Sequence, residues 1–237
     1  MGRAGEAGPL SRRVPKLHVL KVFVGEGGAG GNPLGVFLGG DEVPEEDRQG
    51  IAADLGFSET VFVEDAGRGK LRIFTPATEL PFAGHPLVGT AWLLAREGYE
   101  VTALHPPAGD VTVRRSDDIT FITGRPEWAP EFEEIELGSA AEVEALPGPP
   151  EGHDLVGVWA WEDEEASRVR VRVFAPRFGI HEDEATGAHA LRLAALLGRR
   201  IVIRQGEGSS ILAEPQTDGF VKIGGRTELV EVREYGG

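Results

Sequence analysis

The chain has 237 residues, and 41% of them are apolar, which is enough to bury a core as one large domain or as two lobes. Its formal net charge of −15 disfavours nucleic acid and anionic membranes as partners. The absence of cysteine excludes disulfides and thiol nucleophiles, and no apolar stretch reaches the ~20 residues of a membrane span, so a cytoplasmic protein is expected.

In chain order, the first lobe is predicted to follow a loose tail. Residues 1–16 are rich in glycine, arginine and proline and have no apolar segment, so they are predicted to be flexible and not a secretory signal. Periodicity and turn residues then predict a strand, a glycine-rich loop, a second strand, a helix with an acidic first turn and a third strand. These are residues 17–24, 25–31, 32–38, 44–55 and 57–63.

Residues 72–98 are predicted to form a strand, a tight turn and a helix that begins at His85 and Pro86. Proline suits the first helical turn, because the N–H that it lacks has no partner there. Gly84 allows the backbone to approach a ligand without a Cβ in the way. Since the first N–H groups of a helix are unpaired, this segment is a candidate anion site.

The same pattern occurs again one hundred residues later. Residues 172–176 (Arg-Val-Phe-Ala-Pro) repeat residues 72–76 (Arg-Ile-Phe-Thr-Pro), and a turn with Gly187 and a second helix follow. The repeat predicts two copies of one supersecondary unit, an α+β class and two lobes that face each other across a cleft. The predicted first lobe is residues 17–127, the second is 128–225, and residues 226–235 are a further strand that can join the first.

Two features of the second lobe carry local predictions. A short helix is expected at residues 139–146, with Ser139 as its cap. In the following hairpin, Arg168, Arg170 and Arg172 alternate with valines, and this half-buried periodicity favours a solvated arginine face over an anion-binding track.

Glu59 is the best single candidate for chemistry. Apolar residues follow it along the strand, so desolvation could raise its pKa into the range that is useful for proton transfer. The alternative is a surface glutamate at the start of a strand, and the local sequence by itself favours that alternative.

His85 and Asp183 are the other titratable candidates. A helix start disfavours a charged His85, which is then either a neutral hydrogen-bonding group at a site or a turn histidine beside Pro86. Glu182 and Asp183 lie in the matching turn of the second repeat, either as helix caps or as carboxylates that share the cleft with His85. His181 and His189 flank this pair, but their spacing is not that of a helical metal pair, so no metal is predicted.

Several blocks together resemble the phenazine-biosynthesis isomerase/epimerase family, from about residue 17 to the C-terminus. The Pro-Phe-Ala-Gly-His-Pro block and the Glu-Asp-x-x-Thr-Gly block are the most specific, and Asn32-Pro33 and Gln205-Gly206 also fall where the family has them. The blocks are residues 58–63, 74–76, 79–86, 174–176 and 179–187.

The resemblance implies a diaminopimelate-epimerase-like fold, with two similar lobes that each wrap a sheet around a central helix. It also implies a cofactor-independent isomerase, without metal, that acts on a small carboxylate between the lobes, and a homodimer. The implied catalytic residues are Glu59 as general acid/base with His85 and Asp183, and the implied substrate-binding residues are Gly84, Gly187, Ala188 and Asn32.

The chain departs from the family pattern at four places. Lys21 stands where many members have Asp, Glu184 where Pro is usual and Ala188 where a polar residue is frequent, and residues 207–210 lack an Arg-Pro pair. These changes predict altered substrate contacts. They also leave open a second function, a metabolite-binding protein that keeps the cleft without turnover.

Overall fold

The computed structural model describes residues 15–236, so residues 1–14 of the predicted tail lie outside the described part of the chain. Residues 15–236 form fifteen strands and four α-helices. The strands are β1 (Lys16–Val24), β2 (Asn32–Phe37), β3 (Glu59–Asp65), β4 (Lys70–Phe74), β5 (Glu79–Leu80), β6 (Ala103–Leu104), β7 (Val111–Ser116), β8 (Ile119–Gly124), β9 (Glu133–Glu136), β10 (Val156–Asp163), β11 (Arg168–Ala175), β12 (Ile180–Asp183), β13 (Ile201–Gln205), β14 (Ser209–Pro215) and β15 (Val221–Glu234). The helices are α1 (Glu45–Leu55), α2 (Gly84–Arg96), α3 (Ala140–Glu144) and α4 (Gly187–Leu197).

One pattern of strand pairing occurs twice. In the first half, β2 lies parallel to β3, and β3, β4 and β5 follow as antiparallel neighbours. In the second half, β9 lies parallel to β10, and β10, β11 and β12 are antiparallel in the same way. The antiparallel sets β6–β7–β8 and β13–β14–β15 complete the match. The α+β class and the duplication that the sequence predicts are therefore confirmed.

The long strand β15 joins the two halves. Its first residues pair with β8 and β14, and from Arg226 onward it pairs with β1. The sequence predicts a strand at residues 220–225 that Gly225 closes and a separate final strand within residues 226–235, and that division is wrong. A Cβ at Gly225 would lie 2.6 Å from the ring of Phe23 and 3.0 Å from the carbonyl of Ser210. This glycine therefore permits close packing within one continuous strand and does not end it.

The two central helices, α2 and α4, lie in the core. Most residues of both helices are apolar or small and are buried on nearly all sides of the helix, as expected for helices in a protein interior. Leu87 and Leu94 of α2 share the main hydrophobic cluster with Leu191 and Leu193 of α4. Within residues 15–236, no helix is long and apolar enough to cross a membrane.

The local predictions for the second half have mixed outcomes. Ser139 caps α3, because its Oγ accepts a hydrogen bond from the N–H of Glu142. The solvated arginine face is wrong for Arg170, which is only 6% exposed and donates to Glu144 and to the carbonyls of Arg204 and Gly206. These acceptors come from α3, from the end of β13 and from the turn that follows it. The alternation of residues along β11 cannot predict such contacts with other segments.

Candidate active site

Glu59 is the first residue of β3 and points into a cavity between the two halves. Its side chain is only 12% exposed, and its Oε2 lies 3.4 Å from Nε2 of His85. Burial raises the pKa of the Glu59 carboxyl well above its usual range, the nearby carboxyl of Asp183 raises this pKa further, and the neighbouring hydroxyl of Ser58 partly opposes both effects. A carboxyl group with a raised pKa is a stronger base when it is ionised, and this suits it to take a proton from carbon.

His85 lies behind Glu59 in the first turn of α2. Burial lowers the pKa of this imidazole to about 3, although a hydrogen bond to the carbonyl of Pro33 acts in the opposite direction. A carbonyl only accepts hydrogen bonds, so the ring nitrogen on that side carries the hydrogen and Nε2 presents a lone pair to Glu59. His85 is thus neutral, and its unpaired Nε2 lone pair lies beside the Glu59 carboxyl.

Asp183 ends β12 and faces the same cavity. Its carboxylate accepts hydrogen bonds from Nδ2 of Asn32 at 2.7 Å and from the hydroxyl of Thr186 at 2.6 Å. Burial raises the pKa of Asp183, these two hydrogen bonds lower it, and the neighbouring charge of Glu184 raises it. Because both carboxyls have raised pKa values, the cavity can hold at least one acidic proton near neutral pH.

Asn32 is 2% exposed and belongs to the network that holds Asp183. Its Nδ2 also donates to the carbonyl of Ala185 at 2.9 Å, and its Oδ1 accepts from the hydroxyl of Ser58 at 3.0 Å. Gln205 completes this network, because its Nε2 donates to the carbonyl of Asp183 and to the hydroxyl of Thr186, both at 2.8 Å. Sequence reasoning gave Gln205 no role, although the Gln-Gly pair in the family motif was the signal.

The starts of α2 and α4 touch at Gly84 and Gly187. A Cβ at Gly84 would lie 2.7 Å from Cα of Gly187, and a Cβ at Gly187 would lie 2.9 Å from Cα of Gly84. The residues before these helices, Ala83 and Thr186, provide no side-chain cap. Two uncapped helix starts therefore bring their N–H groups and the positive ends of their dipoles to one place beside the cavity.

The cavity has a volume of about 270 Å³. Glu59, Asp183 and Ala188 line it together with apolar residues from both halves and from the linker between them. The other sequence-predicted site residues do not line it: His85 and Asn32 are buried beside Glu59 and Asp183, and Gly84 and Gly187 contact each other between the helix starts.

Strand pairing identifies which residues of the two halves are structurally equivalent. At each site position, the ionisable residue of one half has a non-ionisable equivalent in the other half. Thr60 pairs with Phe74 and Val156 pairs with Phe174, so the position before Thr60, Glu59, corresponds to Leu155. In the same way, Leu80 of the first half corresponds to Asp183 of the second, because their partners are Ile73 and Val173. His85 and Ala188 are each the second residue of a central helix. The cavity is thus built symmetrically but carries one asymmetric set of ionisable groups.

The two histidines that flank Asp183 in the sequence have different surroundings. His181 is exposed, whereas His189 is fully buried and its Nε2 lies 3.0 Å from Oε2 of Glu134. Within residues 15–236, no group of three or more His, Asp or Glu side chains could hold a metal ion.

The four departures from the family pattern have different surroundings. Lys21 is exposed on β1, and Ala188 lines the cavity. The other two contact each other, because Glu184 accepts hydrogen bonds from the N–H of Glu207 and from the hydroxyl of Ser209. These two departures therefore form one altered contact next to Asp183.

Comparisons with known proteins agree with this architecture. The model of the family described as "Phenazine biosynthesis-like protein" (PhzC-PhzF) matches residues 21–147. The trans-2,3-dihydro-3-hydroxyanthranilate isomerase of Pseudomonas fluorescens is 30% identical over an alignment 250 positions long. This alignment covers 87% of this chain and 90% of that protein.

Solved structures show the same fold. A phenazine biosynthesis PhzC/PhzF protein from Clostridium difficile aligns with a TM-score of 0.75 and 20% identity, over 94% of this chain and 99% of that one. A hydroxyproline epimerase from Agrobacterium vitis aligns with a TM-score of 0.61 and 13% identity, over 92% and 91%. The epimerase-like α+β fold that the sequence resemblance implies is therefore confirmed.

Proposed function

This chain belongs to the phenazine biosynthesis-like protein family and is an isomerase or epimerase, and from that premise we propose that it moves a proton on a small carboxylate, without a cofactor, in the cavity that Glu59 and Asp183 line. The observation that carries the proposal is the buried Glu59 carboxyl, whose pKa burial raises well above its usual range, at the edge of that cavity. A proton shift between carbon atoms needs a group that is basic enough to remove a proton and acidic enough to return it.

In the first step, ionised Glu59 takes a proton from a carbon next to the conjugated system of the substrate. The C–H electron pair then enters that system, and negative charge builds up toward the substrate carboxylate. In the second step, the carboxylic acid form of Glu59 returns the proton to another carbon. Atoms and charge balance, and the product is an isomer of the substrate.

The helix starts are the proposed anion-stabilising element. The N–H groups of Gly84, Gly187 and Ala188 are the donors that we assign to the substrate carboxylate, and Pro86 contributes none because it has no N–H. Fixed N–H dipoles in a water-poor cavity stabilise charge that develops during a reaction more than water does, because they need no reorganisation. Removal of one such donor from an enzyme typically slows turnover by about 10²–10³-fold.

His85 and Asp183 support the transfer in different ways. The lone pair at Nε2 of His85, 3.4 Å from Oε2 of Glu59, accepts a hydrogen bond from the carboxylic acid that Glu59 becomes between the two steps, and this orients the carboxyl toward the substrate. Asp183, which Asn32 and Thr186 hold in place, binds a polar group of the substrate close to the transferred proton. In this proposal Asn32 acts through Asp183 and is a positioning residue.

Deuterium exchange tests the proposal directly. Candidate acids are incubated with the protein in deuterated water and analysed by mass spectrometry, beginning with trans-2,3-dihydro-3-hydroxyanthranilate, the compound in the name of the Pseudomonas relative. Glu59→Gln should abolish deuterium incorporation and leave binding largely intact, whereas the exposed control Glu46→Gln should change neither. Exchange that survives in Glu59→Gln would remove Glu59 from the mechanism, and binding without any exchange would favour the metabolite-binding alternative.

The assembly remains a separate prediction. The family resemblance implies a homodimer, and sedimentation of the purified chain measures its mass in solution. A monomer at micromolar concentration would contradict the homodimer and would leave the proposed chemistry unaffected, because Glu59, His85 and Asp183 all come from one chain.

A further inference from the structure

The walls of the cavity are apolar over most of their area. Phe82 comes from the turn before α2, Trp128 and Phe132 from the linker between the halves, and Leu155 and Ile180 from the second half. The ionisable groups of the same lining are Glu59 and Asp183, whose carboxyls lie close enough to interact. A ligand that fills the cavity therefore has one polar end and buries the rest of its surface against hydrocarbon and aromatic rings.

Other aromatic residues hold the largest wall residue in place. The rings of Trp128 and Phe82 lie 5.8 Å apart, and Phe220 packs edge-on against Trp128 at 6.3 Å. The guanidinium of Arg125 covers the outer side of Phe220 at 4.1 Å. Because Phe82 and Phe220 pack against Trp128, its ring is held in place and offers a preorganised surface to a flat or branched apolar group.

No arginine, lysine or histidine side chain lines the cavity among the residues that the structure describes. Two arginines next to the lining are paired with other groups. Arg192 donates to the carbonyl of Ala129 at 2.7 Å, and Arg172 forms an ion pair with Glu182 at 2.6 Å. A second negative charge on a ligand would lie near Glu59 and Asp183 without a cation to balance it. A buried charge without a partner loses its hydration and gains no compensating interaction, so doubly charged ligands are strongly disfavoured.

Hydroxyl groups on the body of a ligand would also lack partners. Apart from the two carboxyls, the polar side-chain groups that line the cavity are the hydroxyls of Thr75 and Thr186, which are already engaged, and the single indole N–H of Trp128, which cannot satisfy several hydroxyl groups. The hydroxyl of Thr75 donates to the carbonyl of Thr78, and that of Thr186 donates to Asp183. Polar groups that enter an apolar site without hydrogen bonds lose their hydration and gain nothing in return.

We infer that the substrate is a monocarboxylate whose remaining part is a largely apolar ring or branched chain, and that dicarboxylates, phosphorylated acids and polyhydroxylated acids are excluded. This inference rests on the proposed function, because it places the single carboxylate at the polar end of the same cavity. It goes further than the proposed chemistry by assigning the body of the substrate from Trp128, Phe132 and Leu155.

Three acids with the same ring test the inference by calorimetric binding to the full chain. The probes are cyclohexene carboxylate, the same ring with a second carboxylate on the adjacent carbon, and the same ring with three hydroxyl groups. We expect cyclohexene carboxylate to bind about 100-fold more tightly than the dicarboxylate, and at least about tenfold more tightly than the trihydroxy acid. Equal or reversed affinities would overturn the inference, and so would the absence of measurable binding of cyclohexene carboxylate at millimolar concentration.

A matched pair of tryptophan variants locates the binding surface. Trp128→Ala should weaken the binding of cyclohexene carboxylate by about tenfold or more, because large aromatic anchors dominate binding in apolar pockets. Trp161→Ala is the control, because this half-buried tryptophan packs on Trp159 and Arg199 and does not line the cavity. Equal effects of the two substitutions would overturn the assignment of the wall.

Failure of the chemistry and failure of the inference give different results. If the affinity order is as expected and no acid incorporates deuterium, the proposed proton transfer is wrong and the apolar ligand class stands. If polyhydroxylated or doubly charged acids bind best and exchange their protons in a manner that depends on Glu59, the chemistry stands and the ligand class is wrong.

Discussion

Oε2 of Glu59 and Nε2 of His85 lie 3.4 Å apart in a buried position, and neither atom forms a hydrogen bond within residues 15–236. Burial favours the uncharged form of each group, because it raises the pKa of Glu59 and lowers the pKa of His85 to about 3. A carboxylic acid therefore faces a neutral imidazole. This arrangement keeps a proton available at the cavity at the expense of stability near neutral pH.

The first prediction concerns that loss of stability. Folded Glu59 prefers its proton, so its stabilising contribution is present below the unfolded pKa of 4.5 and is lost as the pH rises toward the raised folded pKa. Glu59→Gln should therefore stabilise the protein, by on the order of 1–3 kcal/mol more at about pH 8 than at about pH 5. Denaturant unfolding at both pH values measures this, with the exposed Glu46→Gln as control. An effect that is equal at the two pH values would contradict the raised pKa.

The second prediction separates the role of His85 from its packing. In His85→Asn, the amide N–H can still donate to the carbonyl of Pro33, but no lone pair remains opposite Glu59. We expect kcat to fall by about 10²–10³-fold with little change in substrate affinity. His105→Asn is the control, because this histidine is exposed and pairs with Asp110. A fall in affinity with unchanged kcat would show that His85 binds substrate and does not support proton transfer.

Glu59 and His85 show how much of the site could be predicted from the sequence. The repeat at residues 72–76 and 172–176 predicts a duplicated unit, and the family resemblance groups Glu59, His85 and Asp183. In the structure Glu59 and Asp183 line one cavity and His85 lies 3.4 Å from Glu59, and their roles stay a prediction. By local sequence alone Glu59 looks exposed, because the segments that cover it come from residues 128–132 and 173–188. Neither periodicity nor spacing reports packing between such distant segments.

Side-chain networks were even less predictable. The family resemblance implies that Asn32 binds substrate, and the structure adds that its amide donates to Asp183 and Ala185 across more than 150 residues of sequence. Gly84 and Gly187 were predicted as places where the backbone approaches a ligand, and the structure adds that each approaches the other. Whether they also bind substrate remains a prediction for the exchange experiment.

The third prediction tests this contact between glycines. Gly84→Ala and Gly187→Ala each place a methyl group within 3 Å of backbone atoms of the opposite helix start. Because backbone cannot move aside as a flexible side chain does, each substitution should destabilise the protein by at least about 1–3 kcal/mol. Gly50→Ala is the matched control, because a Cβ at this position in α1 meets nothing within 4 Å and should stabilise the helix by about 0.5–1 kcal/mol. Unchanged stability in Gly84→Ala would show that the helix starts lie further apart.

The last prediction concerns the two departures from the family pattern that contact each other. The carboxylate of Glu184 accepts hydrogen bonds from the hydroxyl of Ser209 at 2.7 Å and from the N–H of Glu207 at 3.0 Å. The same Ser209 oxygen accepts the N–H of Gly31 at 2.8 Å, next to the Asn32 that holds Asp183. The contact therefore links the two halves of the chain beside the candidate site.

If Glu184 and Ser209 act as one unit, their substitutions should not be additive. Glu184→Ala and Ser209→Ala should each destabilise by about 1–3 kcal/mol, because buried donors lose their acceptors, and the double variant should fall short of the sum by about 0.5–3 kcal/mol. Glu184→Gln keeps an acceptor oxygen and removes the charge that helps to raise the pKa of Asp183. It should therefore preserve most of the stability while it lowers that pKa, which nuclear magnetic resonance titration of Asp183 measures. Additive losses in the double variant, or an unchanged Asp183 titration in Glu184→Gln, would mean that this contact does not influence the site.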